Sequence, residues 1–111
     1  MIIYKVLKQN EFLELEKNGQ SFGSSTDKLD GFIHLSTKVQ LSETLRLHFF
    51  KEKYLVLMAL DTNEVEKNLR WELSRNNELF PHLYSKLHFN EAIWFAPIEL
   101  VDDTHIIPPG I

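Results

Sequence analysis

Residues 54–60 read Tyr-Leu-Val-Leu-Met-Ala-Leu and form the longest continuous apolar run in the chain. A run of this kind, without alternating polar residues, is typical of a strand that is covered on both faces. We therefore predict a strand near the centre of a sheet, ending at Asp61. The remaining elements must then supply the layers on both of its faces.

Toward the N-terminus, the pattern predicts a strand, a helix and a loop. Residues 2–7 are rich in β-branched and aromatic side chains, which favour a strand. Asn10 has the character of an N-cap, and the one-sided apolar pattern after it predicts a helix that stops at Asn18-Gly19. Residues 20–31 hold few apolar side chains and two of the four glycines, so we expect a loop there.

A second strand and a second helix precede the apolar run. Residues 32–35 are predicted to form a short strand with Phe32 and His34 on one face. Residues 37–40 have the form of a capping box, and the helix that they start is predicted to continue to Phe50. Its apolar face carries Leu41, Leu45 and Phe49.

The second half of the chain is predicted to be mainly extended. Residues 61–64 have capping-box form but leave room for only one short helical turn before Asn68. Pro81 lacks a backbone donor, so residues 80–84 are predicted to form an edge strand. We also predict extended segments at residues 69–72 and 92–100, a turn at residues 76–77 and an irregular tail from residue 108.

Composition and element order indicate one α+β domain. The chain has 111 residues, of which 43% are apolar and 25% charged, and this suits a compact single domain over residues 1–111. Helical segments are confined to the first half, so the regular alternation of a doubly wound parallel sheet is missing. We predict an α+β domain built on a mixed or antiparallel sheet.

Charge and cysteine content exclude several classes of function. The net charge of −4, from 12 basic and 16 acidic residues, provides no broad basic surface for a duplex nucleic acid. No segment approaches the roughly 18 apolar residues of a membrane span. The chain contains no cysteine, which excludes a disulfide framework and a thiol nucleophile. We expect a cytoplasmic protein with no membrane partner, and the sequence leaves its oligomeric state open.

The sharpest polar cluster surrounds His34. A loop of small hydroxyl residues leads into the strand that carries this histidine, and a predicted helix start follows at once. Backbone N–H groups and hydroxyls in such a place can hold a phosphate or a ribose oxygen. The alternative is a satisfied structural histidine beside hydroxyls that only cap helices. The candidate ligand-binding residues here are Ser24, Ser25, Asp30, Ser36 and Thr37.

Two further polar clusters follow in the second half. Alternation places Arg70 and Glu72 on one face of a strand, where the arginine keeps the carboxylate charged and suited to a ribose hydroxyl or a developing cation. The alternative is that Arg70 and Glu72 form an ion pair on the surface, with Trp71 in the core. His82 and Tyr84 share one face, where they can contact a base or nicotinamide. The alternative is an edge strand on which these two amphipathic side chains have no ligand. The five histidines lack tight ligand spacing, so we expect no metal.

Taken together, these segments resemble a small bacterial family, the domain of unknown function 952, from Tyr4 to about Ile98. The resemblance rests on Gly23-Ser24, Asp30-Gly31-Phe32-Ile33-His34-Leu35-Ser36-Thr37, Gln40, Thr44, Leu69-Arg70-Trp71-Glu72 and Phe80-Pro81-His82-Leu83-Tyr84. The family is similar in fold to the ADP-ribosyltransferases. This implies an α+β arrangement around a split, mostly antiparallel sheet with a few short helices.

The resemblance also implies a ligand and a set of roles. Residues 34–36 resemble the element with which NAD-using members of that superfamily hold the nicotinamide ribose. By analogy, the catalytic pair is His34, which bonds a ribose hydroxyl with support from Ser36 or Thr37, and Glu72, the acidic residue. Tyr84 or His82 is the stacking partner. The implied function is binding of NAD or an ADP-ribose-like nucleotide with cleavage at the ribose. The alternative is a non-catalytic module for a small anionic ligand or a peptide.

Overall fold

Nine strands and four short helices make up the structure, a computed structural model that describes all 111 residues. The elements in chain order are β1 (Ile2–Leu7), α1 (Gln9–Asn18), β2 (Gln20–Ser21), α2 (Ser25–Asp30), β3 (Ile33–His34), α3 (Leu41–His48), β4 (Leu55–Asp61), α4 (Thr62–Val65), β5 (Leu69–Leu73), β6 (Leu79–Leu83), β7 (Leu87–His88), β8 (Ala92–Val101) and β9 (Thr104–Ile106). Single 3₁₀ turns lie at Glu66–Asn68, Arg75–Asn77 and Phe89–Glu91. The predicted α+β class is confirmed.

The central position predicted for the apolar run is confirmed. This run forms β4, which lies between β1 and β8 in a four-stranded antiparallel sheet of order β1-β4-β8-β9. Alternate β4 side chains enter two different apolar clusters. Met58 and Leu60 pack into one cluster, and Leu57 and Ala59 pack into the other against Leu41 and Leu45 of α3. Burial on both faces therefore explains the absence of polar alternation in the sequence.

A second antiparallel sheet, of order β3-β6-β5, carries four of the ten predicted site residues: His34, Arg70, Glu72 and His82. It meets the main sheet where Tyr4 and Ser36 exchange two backbone hydrogen bonds, of 2.8 and 2.9 Å. The predicted edge position of residues 80–84 is wrong, because β6 lies between β3 and β5. Pro81 is tolerated there because its carbonyl accepts from the amide of Leu35, which places its missing donor on the side where β3 has already ended.

Residues 20–31 are more regular than the predicted loop. β2 pairs with β7, and α2 is capped by Ser24 and ended by Gly31, whose φ is 82°. Asp27 is the only buried residue of α2. The low apolar content that suggested a loop thus belongs to a helix on the surface. The side chain that this helix buries is a carboxylate rather than an apolar group.

Other boundaries shift by a few residues. The N-cap of α1 is Lys8 rather than Asn10, and its backbone amide donates to Glu11 Oε1 at 2.8 Å. Thr37 and Gln40 form the two reciprocal hydrogen bonds of a capping box, of 3.0 and 3.4 Å, in the turn before α3. The helix itself ends at His48, before the predicted Phe50.

The chain after β8 folds back on it as β9, a strand that the sequence did not predict. None of the helices has both the length and the apolar character needed to cross a membrane.

Candidate functional site

A buried carboxylate, Asp27, organises the polar residues around His34. The cap of α2 is reciprocal: Ser24 Oγ accepts from the Asp27 amide at 3.1 Å, and Asp27 Oδ2 accepts from the Ser24 amide at 2.9 Å. The cap fixes the carboxylate at the start of the helix, and its side chain is 1% exposed. Local helix capping therefore supplies a rigid anion in the protein interior.

Lys5 of β1 forms a buried ion pair with the Asp27 carboxylate. Its Nζ donates to Asp27 Oδ2 at 2.7 Å and to the His34 carbonyl at 3.1 Å. Burial by itself raises the pKa of the Asp27 carboxyl. The hydrogen bonds from His34 and the charge of Lys5 outweigh that effect and hold the pKa of Asp27 well below its usual range. Asp27 is consequently ionised throughout the physiological pH range.

His34 lies between two carboxylates. Its Nδ1 is 2.6 Å from Asp27 Oδ1, and its Nε2 is 3.0 Å from Asp30 Oδ2. Asp27 Oδ1 also accepts from the His34 amide at 3.0 Å, which fixes the strand against the helix. Because Asp27 is ionised, Nδ1 carries a proton and donates it. Nε2, the other ring nitrogen, is held by the carboxylate of Asp30, whose side chain is 42% exposed.

Gly23 allows this arrangement by leaving space beside the carboxylate. Its φ is +93°, and a Cβ at this position would overlap the side chain of Asp27. A left-handed backbone and the close approach both require glycine here.

A polar cleft of about 440 Å³ opens in front of His34. Its floor comes from β1 and the segment 34–36, and its walls come from α2 on one side and from α3 with the β5–β6 turn on the other. Six residues predicted from sequence line it: Ser24, Ser25, Asp30, His34, Ser36 and His82. The structure therefore brings the predicted first cluster, apart from Thr37, and His82 to one cavity.

The remaining predicted residues lie beside the cleft. Glu72 Oε1 accepts from the Tyr84 hydroxyl at 2.6 Å and is 2.9 Å from His82 Nδ1. The Arg70 guanidinium lies 5.0 Å from the centre of the Tyr84 ring. Arg70, Glu72, Tyr84 and Thr37 do not line the cleft. Glu72 is connected to it only through His82.

The predicted pairings of side chains by face are confirmed. Register pairs Arg70 with His82 and His34 with His82 across the second sheet. The Phe32 ring stacks on His82 at 4.1 Å and lies 4.6 Å from the ring of His34. Trp71, in contrast, is 38% exposed, so the interpretation of Trp71 as a core residue is wrong.

These contacts shift the pKa values of the Glu72 carboxyl and the Tyr84 phenol. The hydrogen bond from Tyr84, and then that from His82, lower the pKa of the exposed Glu72 carboxyl. The same contact with Glu72 raises the pKa of the Tyr84 phenol. The structure thus contains two neighbouring carboxylate–histidine pairs, Asp27–His34 and Glu72–His82. The centres of the two imidazole rings are 5.5 Å apart.

Sequence reasoning missed three residues of the site: Lys5, Asp27 and Arg75. Lys5 interrupts the apolar β1, and a lysine among buried neighbours requires a counter-charge. Asp27 follows Ser24 at the spacing of a capping box. Arg75 follows the end of β5 and lines the cleft, and no sequence motif indicates it. No group of three or more histidine and acidic side chains is arranged to hold a metal ion.

A family profile and solved structures match this chain. The profile described as "Protein of unknown function (DUF952)" matches residues 6–95. A crystal structure of protein CC0527 from Caulobacter crescentus is 37% identical, with a TM-score of 0.90 over 95% of this chain and 92% of that chain. The solution NMR structure of CC0527 is 38% identical, with a TM-score of 0.83 over 94% and 90% of the two chains. None of the curated proteins matches the chain. The profile spans most of the sequence, and the chain therefore belongs to the DUF952 family.

Proposed function

We propose that this protein binds NAD or an ADP-ribose-like nucleotide in the His34 cleft and acts on the glycosidic bond of the bound ribose. The observation that carries the proposal is the orientation of His34. A buried, ionised Asp27 holds Nδ1 at 2.6 Å, so the ring presents Nε2 to the cleft in a fixed direction. A hydrogen-bonding group held in this way suits a ribose hydroxyl, which both donates and accepts.

The walls of the cleft support a ligand rich in hydroxyl groups. Only 5 of its 20 lining residues are hydrophobic, and serine and threonine hydroxyls come from both walls. Asp30, the present partner of His34 Nε2, has a side chain that is 42% exposed. A ligand hydroxyl can therefore replace this carboxylate at little cost, because an exposed ion pair contributes little free energy.

The catalytic step in this proposal uses charge stabilisation. Cleavage of the bond between ribose and nicotinamide sends the electron pair to the departing base and leaves a cationic ribose carbon. Water then attacks this carbon and releases one proton to the solvent. Glu72 stabilises that charge through His82, with which it shares a 2.9 Å contact. The resemblance of the sequence to the ADP-ribosyltransferases, through residues 34–36 and Glu72, supports this assignment.

A second candidate is a binding module without turnover. It is favoured by the position of Glu72, whose Oε1 already accepts from Tyr84 and contacts His82 outside the cleft. A carboxylate engaged in this way does not touch a ligand in the cleft. In this case the same cavity recognises a small anionic ligand, and His34 serves only recognition.

Calorimetric titration with NAD and with ADP-ribose tests the proposal, with chromatographic detection of free nicotinamide as the readout of turnover. We expect His34→Gln to weaken binding, while His88→Gln, at a histidine that lines neither this cleft nor the smaller cavity beside Tyr84, leaves it unchanged. Binding without nicotinamide release selects the second candidate. If neither nucleotide binds at millimolar concentration, the proposal is wrong.

A further inference from the structure

We infer that Arg75, Thr44 and Ser36 form a phosphate-binding subsite at the α3 side of the cleft, so that the ligand is a phosphate ester rather than a free sugar or nucleoside. The inference deepens the proposed function and rests on it for the rest of the ligand. Two of its residues, Arg75 and Thr44, have no role in the catalytic proposal.

Arg75 lines the cleft and has free hydrogen-bonding capacity. Its guanidinium lies 4.9 Å from the centre of the Phe80 ring, and its side chain is 18% exposed. Thr44 Oγ1, at 3.3 Å from Nη2, is the single hydrogen-bond partner of the guanidinium within the protein. A guanidinium has five N–H donors. Because no buried side-chain nitrogen lacks a partner, the other donors of Arg75 are accessible from outside the protein, and Arg75 is one of the residues that line the cleft.

Arg75 is also the least neutralised cation of the cleft. Lys5 lies 2.7 Å from Asp27, and Lys8 lies 3.5 Å from Glu52. The carboxylate nearest to Arg75, that of Glu43, is 4.0 Å from Nε, which is too long for a hydrogen bond. A planar guanidinium with free parallel donors matches the oxygens of a phosphoryl group.

The turn that carries Arg75 is fixed before any ligand arrives. The Ser74 amide donates to the Glu78 carbonyl at 3.0 Å, and the Glu78 amide donates to the Arg75 carbonyl at 3.1 Å. Asn76 and Asn77 adopt φ values of 58° and 57°, a left-handed conformation that asparagine tolerates better than most residues. A preorganised turn reduces the entropy lost when the guanidinium binds an anion.

Hydroxyl groups connect this cation to His34. Thr44 Oγ1 is 3.1 Å from Ser36 Oγ, and the two hydroxyls can turn toward an anion. Ser36 follows His34 by two residues in extended chain, so the two side chains share a face about 7 Å apart. Since His34, Ser36, Thr44 and Arg75 all line one cleft, we place the 5′-phosphate of a ribose held at His34 in the Arg75 subsite.

Inorganic pyrophosphate is the probe that tests the subsite without a nucleoside. We expect calorimetric binding of pyrophosphate to the wild-type protein, and a loss of roughly tenfold or more in affinity for Arg75→Gln. The matched control is Arg46→Gln, because Arg46 also pairs with Glu43, at 3.5 Å, but lies on the exposed face of α3 outside the cleft. It removes the same charge and should change affinity by less than about twofold.

A folding defect is separated from a binding defect by Arg75→Lys, which keeps the charge but not the planar pair of donors. Its affinity should fall between those of the wild type and Arg75→Gln. The subsite is overturned if the wild type does not bind pyrophosphate, or if Arg75→Gln and Arg46→Gln weaken binding equally. Pyrophosphate binding that depends on Arg75, with no binding of NAD or ADP-ribose, would instead reject the proposed ligand and retain the phosphate subsite.

Discussion

Asp27 holds His34 at 2.6 Å through Nδ1 while its second oxygen receives the buried ammonium of Lys5 at 2.7 Å. One carboxylate therefore neutralises a cation in the interior and orients the histidine at the edge of the cleft. The three residues come from β1, α2 and β3, so this contact also ties the two sheets to the helix between them. Stability and ligand recognition consequently depend on the same side chain.

Replacing Asp27 by asparagine should be strongly destabilising. The substitution keeps the shape but leaves Lys5, which is 6% exposed, without its counter-charge. Removal of one partner of a buried ion pair typically costs about 3–5 kcal/mol in the free energy of unfolding. Urea denaturation monitored by circular dichroism measures this difference.

The matched control is Asp30→Asn, which removes the other carboxylate beside His34. Asp30 is 42% exposed, so the free energy of unfolding should change by less than about 0.5–1 kcal/mol. Equal losses for the two variants would show that the buried pair is not the source of the stability.

Acid should weaken the folded state through the same residue. The pKa of Asp27 is lowered in the folded protein, so its contribution to stability is complete only well above the ordinary carboxyl pKa of about 3.9. As the pH falls below about 5, the unfolded state takes up a proton that the folded state does not, and stability declines. Free energies of unfolding measured from pH 7 to pH 3 should show a steeper decline for the wild type than for Asp27→Asn. Parallel curves would contradict this role for Asp27.

Much of the strand arrangement could be predicted from the sequence, because local residue patterns determine it. The unbroken apolar run at residues 54–60 places β4 at the centre, and the alternation of Arg70 with Glu72 and of His82 with Tyr84 places these side chains on shared faces. Both inferences need only the two-residue period of a strand and the burial of its faces.

Six residues of the cleft could be predicted, but the charge contacts that build it could not, because they join distant segments. Asp27 lies 22 residues from Lys5 in sequence, and no local pattern states which charges will meet. The interpretation of Pro81 as an edge residue failed for a related reason. A missing donor excludes pairing only where the neighbouring strand continues, and β3 is two residues long.

Substitution of Gly23 by alanine should disrupt the Asp27 contact directly. The φ of +93° and the overlap of a Cβ with the Asp27 carboxylate act together, so we expect a loss of at least about 2 kcal/mol in the free energy of unfolding. Gly31→Ala is the comparison, because Gly31 also has positive φ but faces open space. Its cost should be limited to the backbone strain of about 1 kcal/mol. A difference near zero between the two variants would show that the space beside Asp27 is not required.

Removal of the Glu72 carboxylate should lower the pKa of Tyr84. The hydrogen bond to Glu72 stabilises the neutral phenol, and a nearby negative charge opposes ionisation; both raise the pKa in the wild type. In Glu72→Ala, both effects are lost, so the Tyr84 titration should move toward the ordinary value of about 10.

NMR titration of labelled tyrosine rings measures the change, with the exposed Tyr54 as an internal reference. Glu78→Ala, at a carboxylate with no hydrogen bond to a tyrosine, is the matched control. If Glu72→Ala leaves the Tyr84 curve in place, the phenol is not bonded to Glu72 in solution. In that case only the contact with His82 still engages Glu72, which weakens the argument for a binding module over an enzyme.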